Sequence, residues 1–203
     1  MLIHGSTLYV AVQNLDRKTW KPAAQSWLVL VNIATDTLAG DIPLTGTNPV
    51  TDVVYDPSLD RLLVGDEGVV WQIGDGGIEA INPDTGSSEG FIIDENALAG
   101  NIGDFAIASA TRGYATITTG SFQSVLVAFN PATGVRDPGV IYSAADGFTL
   151  WDMALNDRGE LYICDRSATA PGVVVVDTAN NDAILTPQPI NLWLPPFSIV
   201  FLH

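Results

Sequence analysis

A repeat of about 50 residues runs through the chain and restricts its fold more than any other property of the sequence. Four β-prone segments each end in Asn or Asp followed by turn residues: 27–36 (WLVLVNIATD), 77–86 (GIEAINPDTG), 125–134 (VLVAFNPATG) and 172–181 (GVVVVDTANN). The Asx positions are Asn32, Asn82, Asn130 and Asp177, so the spacings are 50, 48 and 47. An Asx side chain accepts the backbone N–H two residues on, and Pro and Gly suit the hairpin turn that follows.

Two further series keep the same period. One reads LYVAV at 8–12, LLVGD at 62–66, YATIT at 114–118 and LYICD at 161–165, short strands that precede the first series. The other reads DVVY at 52–55, DFAI at 104–107, DMAL at 152–155 and SIVF at 198–201. A fourth short strand follows each Asx turn, as at 38–44 and 135–142. Helical periodicity is almost absent, apart from one turn around 94–98. Four short strands per repeat of this length predict an all-β chain, a β-propeller with four blades of four antiparallel strands.

The domain reading is one propeller over residues 1–203, with blades at roughly 1–56, 57–108, 109–156 and 157–203. Naming the third series strand A, the chain opens on a strand B (Leu8) and closes on a spare strand A (198–202). That last strand completes the first blade or a partner's, which removes open sheet edges. Three arrangements fit: a closed four-bladed ring, two chains forming one eight-bladed ring as a homodimer joined through terminal strands, or part of a larger propeller.

Composition narrows the function classes. Asp and Glu number 23 against 8 Lys and Arg, a net charge of −15, which repels phosphate backbones and excludes nucleic acid as an expected partner. The longest apolar runs span four or five residues, so no membrane span is expected. A single cysteine, Cys164, excludes an intrachain disulfide framework. No basic stretch followed by an apolar one opens the sequence, so an export signal is not among these residues.

Residues 8–16 (LYVAVQNLD), 34–37 (ATDT), 45–49 (TGTNP), 76–83 (GGIEAINP) and 194–201 (LPPFSIVF) together resemble the YVTN/YncE-like group of bacterial secreted or lipoprotein-type β-propellers. The resemblance covers nearly the whole chain. It implies a seven- or eight-bladed ring in an exported, extracellular, periplasmic or cell-surface protein. It brings no catalytic motif with it.

Candidate sites follow from the scaffold. In propellers the B–C loops share one face, and function concentrates on loops held by rigid elements. Here those loops are 13–26, 66–76, 119–123 and 165–171. The first carries Arg17, Lys18 and Trp20, the second Asp66, Glu67 and Trp71, and the last Asp165 and Arg166. Basic, acidic and aromatic groups in this arrangement suit a polar ligand or a protein surface. The plainer reading is that the tryptophans cover blade edges and the charges are solvated.

Asp52, Asp104 and Asp152 start equivalent A strands. Converging near an axis, their oxygens would suit Ca²⁺, the one cofactor the sequence raises. The plainer alternative is that each caps its own loop by accepting backbone N–H groups. Residues 86–90 match G-x-S-x-G around Ser88, but the nucleophile elbow needs a strand–turn–helix setting and a histidine, and the histidines are His4 and His203 at the chain ends. Cys164 lies mid-strand and reads as a buried, inert thiol. The sequence therefore favours a non-catalytic binding or scaffold module over its alternative, a metal-dependent lactonase- or lyase-type propeller enzyme.

Overall fold

All four Asx turns form as their side chains predict. The Oδ1 atoms of Asn32, Asn82, Asn130 and Asp177 accept the N–H groups of Ala34, Asp84, Ala132 and Ala179 at 2.9, 3.0, 2.9 and 3.1 Å. The computed structural model describes residues 1–201, and the chain divides into two compact units, Met1–Ala97 and Leu98–His203.

In the first unit the strands are β1 (Leu2–His4), β2 (Thr7–Val12), β3 (Leu15–Asp16), β4 (Lys21–Pro22), β5 (Trp27–Asn32), β6 (Thr37–Pro43), β7 (Val54–Asp56), β8 (Arg61–Asp66), β9 (Gly77–Asn82) and β10 (Ser87–Asp94). They build two antiparallel four-stranded sheets, ordered β1-β2-β5-β6 and β10-β9-β8-β7, with β3 and β4 as a separate two-stranded ribbon. A single helical turn follows, α1 (Glu95–Leu98), started by Asp94 accepting the Ala97 N–H at 2.8 Å.

The second unit holds β11 (Asn101–Ser109), β12 (Arg112–Thr118), β13 (Ser124–Asn130), β14 (Val135–Arg136), β15 (Tyr142–Ser143), β16 (Leu150–Leu155), β17 (Glu160–Asp165), β18 (Gly172–Asp177) and β19 (Ala183–Ile184). One sheet runs β11-β12-β13-β14 with β15 also on β13, the other β16-β17-β18-β19. Each unit has its own core. Tyr9, Leu28, Ile42, Leu62, Val64 and Ile81 pack in the first, and Tyr114, Leu126, Met153, Leu161, Ile163 and Val174 in the second. The pairs Leu62/Val64, Leu126/Ala128 and Leu161/Ile163 show why: residues two apart on a strand share a face. Each fully buried Leu or Ile contributes about 1.5–3 kcal/mol.

Several expectations change. The first sheet does not lack a first strand, because Leu2–His4 pairs with Thr7–Tyr9. Val54–Asp56 pairs with Arg61–Leu63, so the A strand belongs with the residues after it and not within 1–56. The fourth strand expected at 135–142 is split into β14 and β15, since Pro138 has no N–H to donate. Residues 198–201 of the expected closing strand join no ladder, and Leu202 lies outside the described residues. Pro195 and Pro196 remove two donors just before it, and the Ile199 N–H is taken by the Asp152 carboxylate at 2.6 Å.

Candidate functional site

The first B–C loop folds around Asp16. Its carboxylate accepts the Lys18 N–H and the Thr19 hydroxyl, both at 2.9 Å, which holds its pKa below the ordinary value. The tight turn carries Trp20 into the left-handed region at φ 56°, more than half exposed, with the Arg17 guanidinium 6.0 Å from its ring centroid. Beside this loop lies an open groove of about 560 Å³. Its walls are Val10–Val12 of β2, then Gln13, Asn14, Leu15 and Arg17, with Pro49, Thr51 and Met1 opposite. Strand β1 pairs only with Thr7–Tyr9, so among the described residues no strand pairs with Val10–Val12 on the groove side. Arg17 forms no ion pair with a carboxylate among the described residues. Lys18 is exposed and does not line the groove.

The second loop turns its acids inward. Asp75 accepts the Val69 N–H at 3.2 Å and the Gln72 amide at 3.0 Å, and Glu95 accepts the Gly74 N–H at 2.9 Å. Burial, then the neighbouring Glu95 and Asp75 charges, push Glu67 up to about 7. The Asn48 amide reaches Glu67 at 3.4 Å and the Gly68 carbonyl at 3.0 Å. Trp71 projects outward, 56% exposed.

Asp66, expected to touch ligand, is wholly buried, and among the described residues no N–H group reaches either of its oxygens. Its carboxyl faces that of Glu79, also wholly buried, which accepts the Thr45 and Gly46 N–H groups at 2.8 Å each. Burial first, then the Glu79 charge, raises Asp66 to about 9. Asp165 is buried too, bonded to the Tyr142 hydroxyl at 2.5 Å, the Ser167 N–H at 2.8 Å and the Ser167 hydroxyl. Both aspartates hold the scaffold and present no surface to a ligand. Arg166 lies over Trp151 at 5.0 Å and Phe197 at 5.2 Å.

The three A-strand aspartates have separate roles. Asp52 is largely exposed and pairs with the Met1 ammonium at 3.1 Å. Asp104 accepts the Met153 N–H at 2.8 Å, and Asp152 that of Ile199. Asp104 is held well above its ordinary pKa by burial, and facing Asp152 adds to this. Among the described residues no three His, Cys, Asp or Glu side chains stand close enough together to hold a metal ion. Asp104 and Asp152 thus each accept a backbone N–H of the following repeat, 49 and 47 residues on, and not one of their own loops. The Cys164 thiol is buried and pushed up to about 12, so it is no nucleophile at neutral pH. Ser88 lies in β10, sharing a hydrogen bond with Thr45 at 2.9 Å. His4 stacks on Tyr55, ring centroids 4.2 Å apart, and His203 lies outside the described residues.

Of the expected site residues, the structure brings only Arg17 to the groove wall, with Trp20 beside it. Pro49, Thr51 and the bare β2 edge were not legible as site residues, because they meet only through strand pairing. Glu79 had a signal: a lone acid interrupting the apolar strand GIEAIN.

No family model and no curated protein sequence matches the chain. Its fold is similar to a chain of the Kuenenia stuttgartiensis hydrazine synthase, with TM-score 0.57 and 14% identity over 89% of this chain and 62% of that one. It is also similar to a chain in a nidogen/laminin complex, with TM-score 0.59 and 16% identity over 95% of this chain and 63% of that one. The chain thus spans less than two thirds of either. Both contain β-propeller domains, and at this identity the likeness concerns fold alone: an all-β chain of antiparallel sheets with propeller-like architecture.

Proposed function

We propose that the chain is a non-catalytic binding module whose first-unit groove takes an extended, acidic peptide. The observation that carries this is the groove itself: an unpartnered stretch of strand at Val10–Val12 ending beside an unpaired guanidinium at Arg17. A bare strand edge offers main-chain hydrogen bonds to an added strand, and side-chain pockets supply selectivity. Arg17 supplies a donor for a carboxylate at one end. We read the four main sheets as four successive blades, part of a larger or composite ring. The resemblance to the YVTN/YncE-like group supports an exported setting.

The test is equilibrium capture from a random hexapeptide pool on the immobilised chain. Retained peptides are expected to be enriched in Asp and Glu, and Arg17→Ala to weaken a retained acidic peptide by about tenfold, or about 1.4 kcal/mol. Equal retention by the wild type and R17A, or no retention by either, overturns the reading.

A further inference from the structure

Between β6 and β7 the chain passes over the end of β8, and residues 65–68 hold it there. The Val50 N–H donates to the Gly65 carbonyl at 2.9 Å, and the Gly65 N–H to Thr51 Oγ1 at 2.8 Å. The Glu67 and Gly68 N–H groups donate to the Asn48 and Thr47 carbonyls at 3.1 and 2.9 Å. Among these attachments sits Asp66, and Gly46 packs on its side chain so closely that a Cβ would stand 2.6 Å from Oδ2.

Carboxyls make the grip on residues 45 and 46. Glu79 accepts both of their N–H groups at 2.8 Å, which compensates it as an anion. Asp66, wholly buried beside it, receives no N–H among the described residues. The titratable groups around them are acids. Glu79 faces Asp66 from β9, and Glu67 faces Glu95 of α1 and Asp75 of the second loop. Residues 45–51 carry no titratable side chain. Among the described residues no Lys, Arg or His forms an ion pair with Asp66, Glu79 or Glu67. A neutral Asp66 carboxyl has Glu79 as acceptor for its O–H, whereas a charged one stands unsolvated against a second acid. Water is the relief open to it. Strands β8 and β9 are locked in one ladder, but residues 45–51 belong to no named strand and are the cover that can lift.

We propose that residues 45–51 form a pH-sensitive strap, seated while Asp66 is protonated and released from the end of β8 when it is not. The strap carries Pro49 and Thr51, so the groove wall moves with it. Its release is measurable whatever the groove takes.

Hydrogen exchange of the full chain, resolved at single amides by NMR between about pH 5 and about pH 8, tests the strap with and without sub-denaturing urea. The Thr45, Gly46 and Val50 amides are expected to lose protection, corrected for intrinsic rate, by up to about tenfold per pH unit. Urea should leave that loss unchanged, because a local opening exposes little surface. Asp66→Asn, uncharged at every pH, is expected to hold the same protections flat. Wild-type protection that is constant with pH overturns the proposal. So does protection that falls with urea in step with the Leu28–Val31 amides, since the whole unit then opens at once. A D66N chain that keeps the wild-type slope overturns it as well, and the wild-type arms decide the matter without that variant.

Discussion

Asp66 and Asp165 occupy the same place in the repeat, the last residue of β8 and of β17, and both are buried, yet they are held in opposite ways. Asp165 has three donors around it, the Tyr142 hydroxyl and the N–H and hydroxyl of Ser167. Asp66 has none and faces a second carboxyl, Glu79. A repeat position thus fixes where a side chain lies but not which groups surround it. That depends on residues outside the repeat motif, a tyrosine and serine in one case and a glutamate in the other.

The largest expected effect in this comparison is Asp165→Ala. It leaves buried donors without an acceptor and should cost about 2–4 kcal/mol in urea unfolding at neutral pH. Asp66→Ala removes a group that no donor satisfies, and it should cost visibly less than D165A. Equal losses would erase the distinction between the sites.

The pH response comes next. The folded chain keeps a proton on Asp66 up to about pH 9, whereas the unfolded chain releases it near its ordinary value of 3.8. Stability should therefore fall as pH rises from about 4 to about 9, by up to about 1.4 kcal/mol per pH unit from this carboxyl, and level off above. Asp66→Asn donates to Glu79 without titrating, so it should flatten that slope while D165N leaves it in place. Urea midpoints across the range check this, and an unchanged slope in D66N would show the proton to be held elsewhere.

Smaller again is Gly46→Ala. A Cβ there would stand 2.6 Å from Asp66 Oδ2, forcing the carboxyl pair apart, with an expected loss of about 1–3 kcal/mol. The smallest stability effect belongs to Arg17→Ala, within about 0.5 kcal/mol because its head is solvated, even as peptide capture falls.

Much of the fold was legible because the Asx turn is local. Each of the four closes through a bond to its own near neighbour, so the residues that predict it are those that form it. Features made by distant residues were not. The pairing of Leu2–His4 with Thr7–Tyr9 has too short a pattern to stand out, and the groove depends on where that pairing stops. For the same reason Asp66 and Asp165 read as loop acids: the sequence shows their place at a strand end, not the side chains that bury them. Arg17 was found because three basic residues within five positions are conspicuous in so acidic a chain.

The Asx turns also bear on how the chain reaches its fold. Because most neighbouring strands of the main sheets follow one another in sequence, their hairpins close small loops, and isolated hairpins form in about 1–10 μs. Four similar hairpins give the chain four places to begin. A substitution that spoils one turn, such as Asn130→Ala, should therefore speed unfolding more than it slows folding, since the remaining three can still start the reaction.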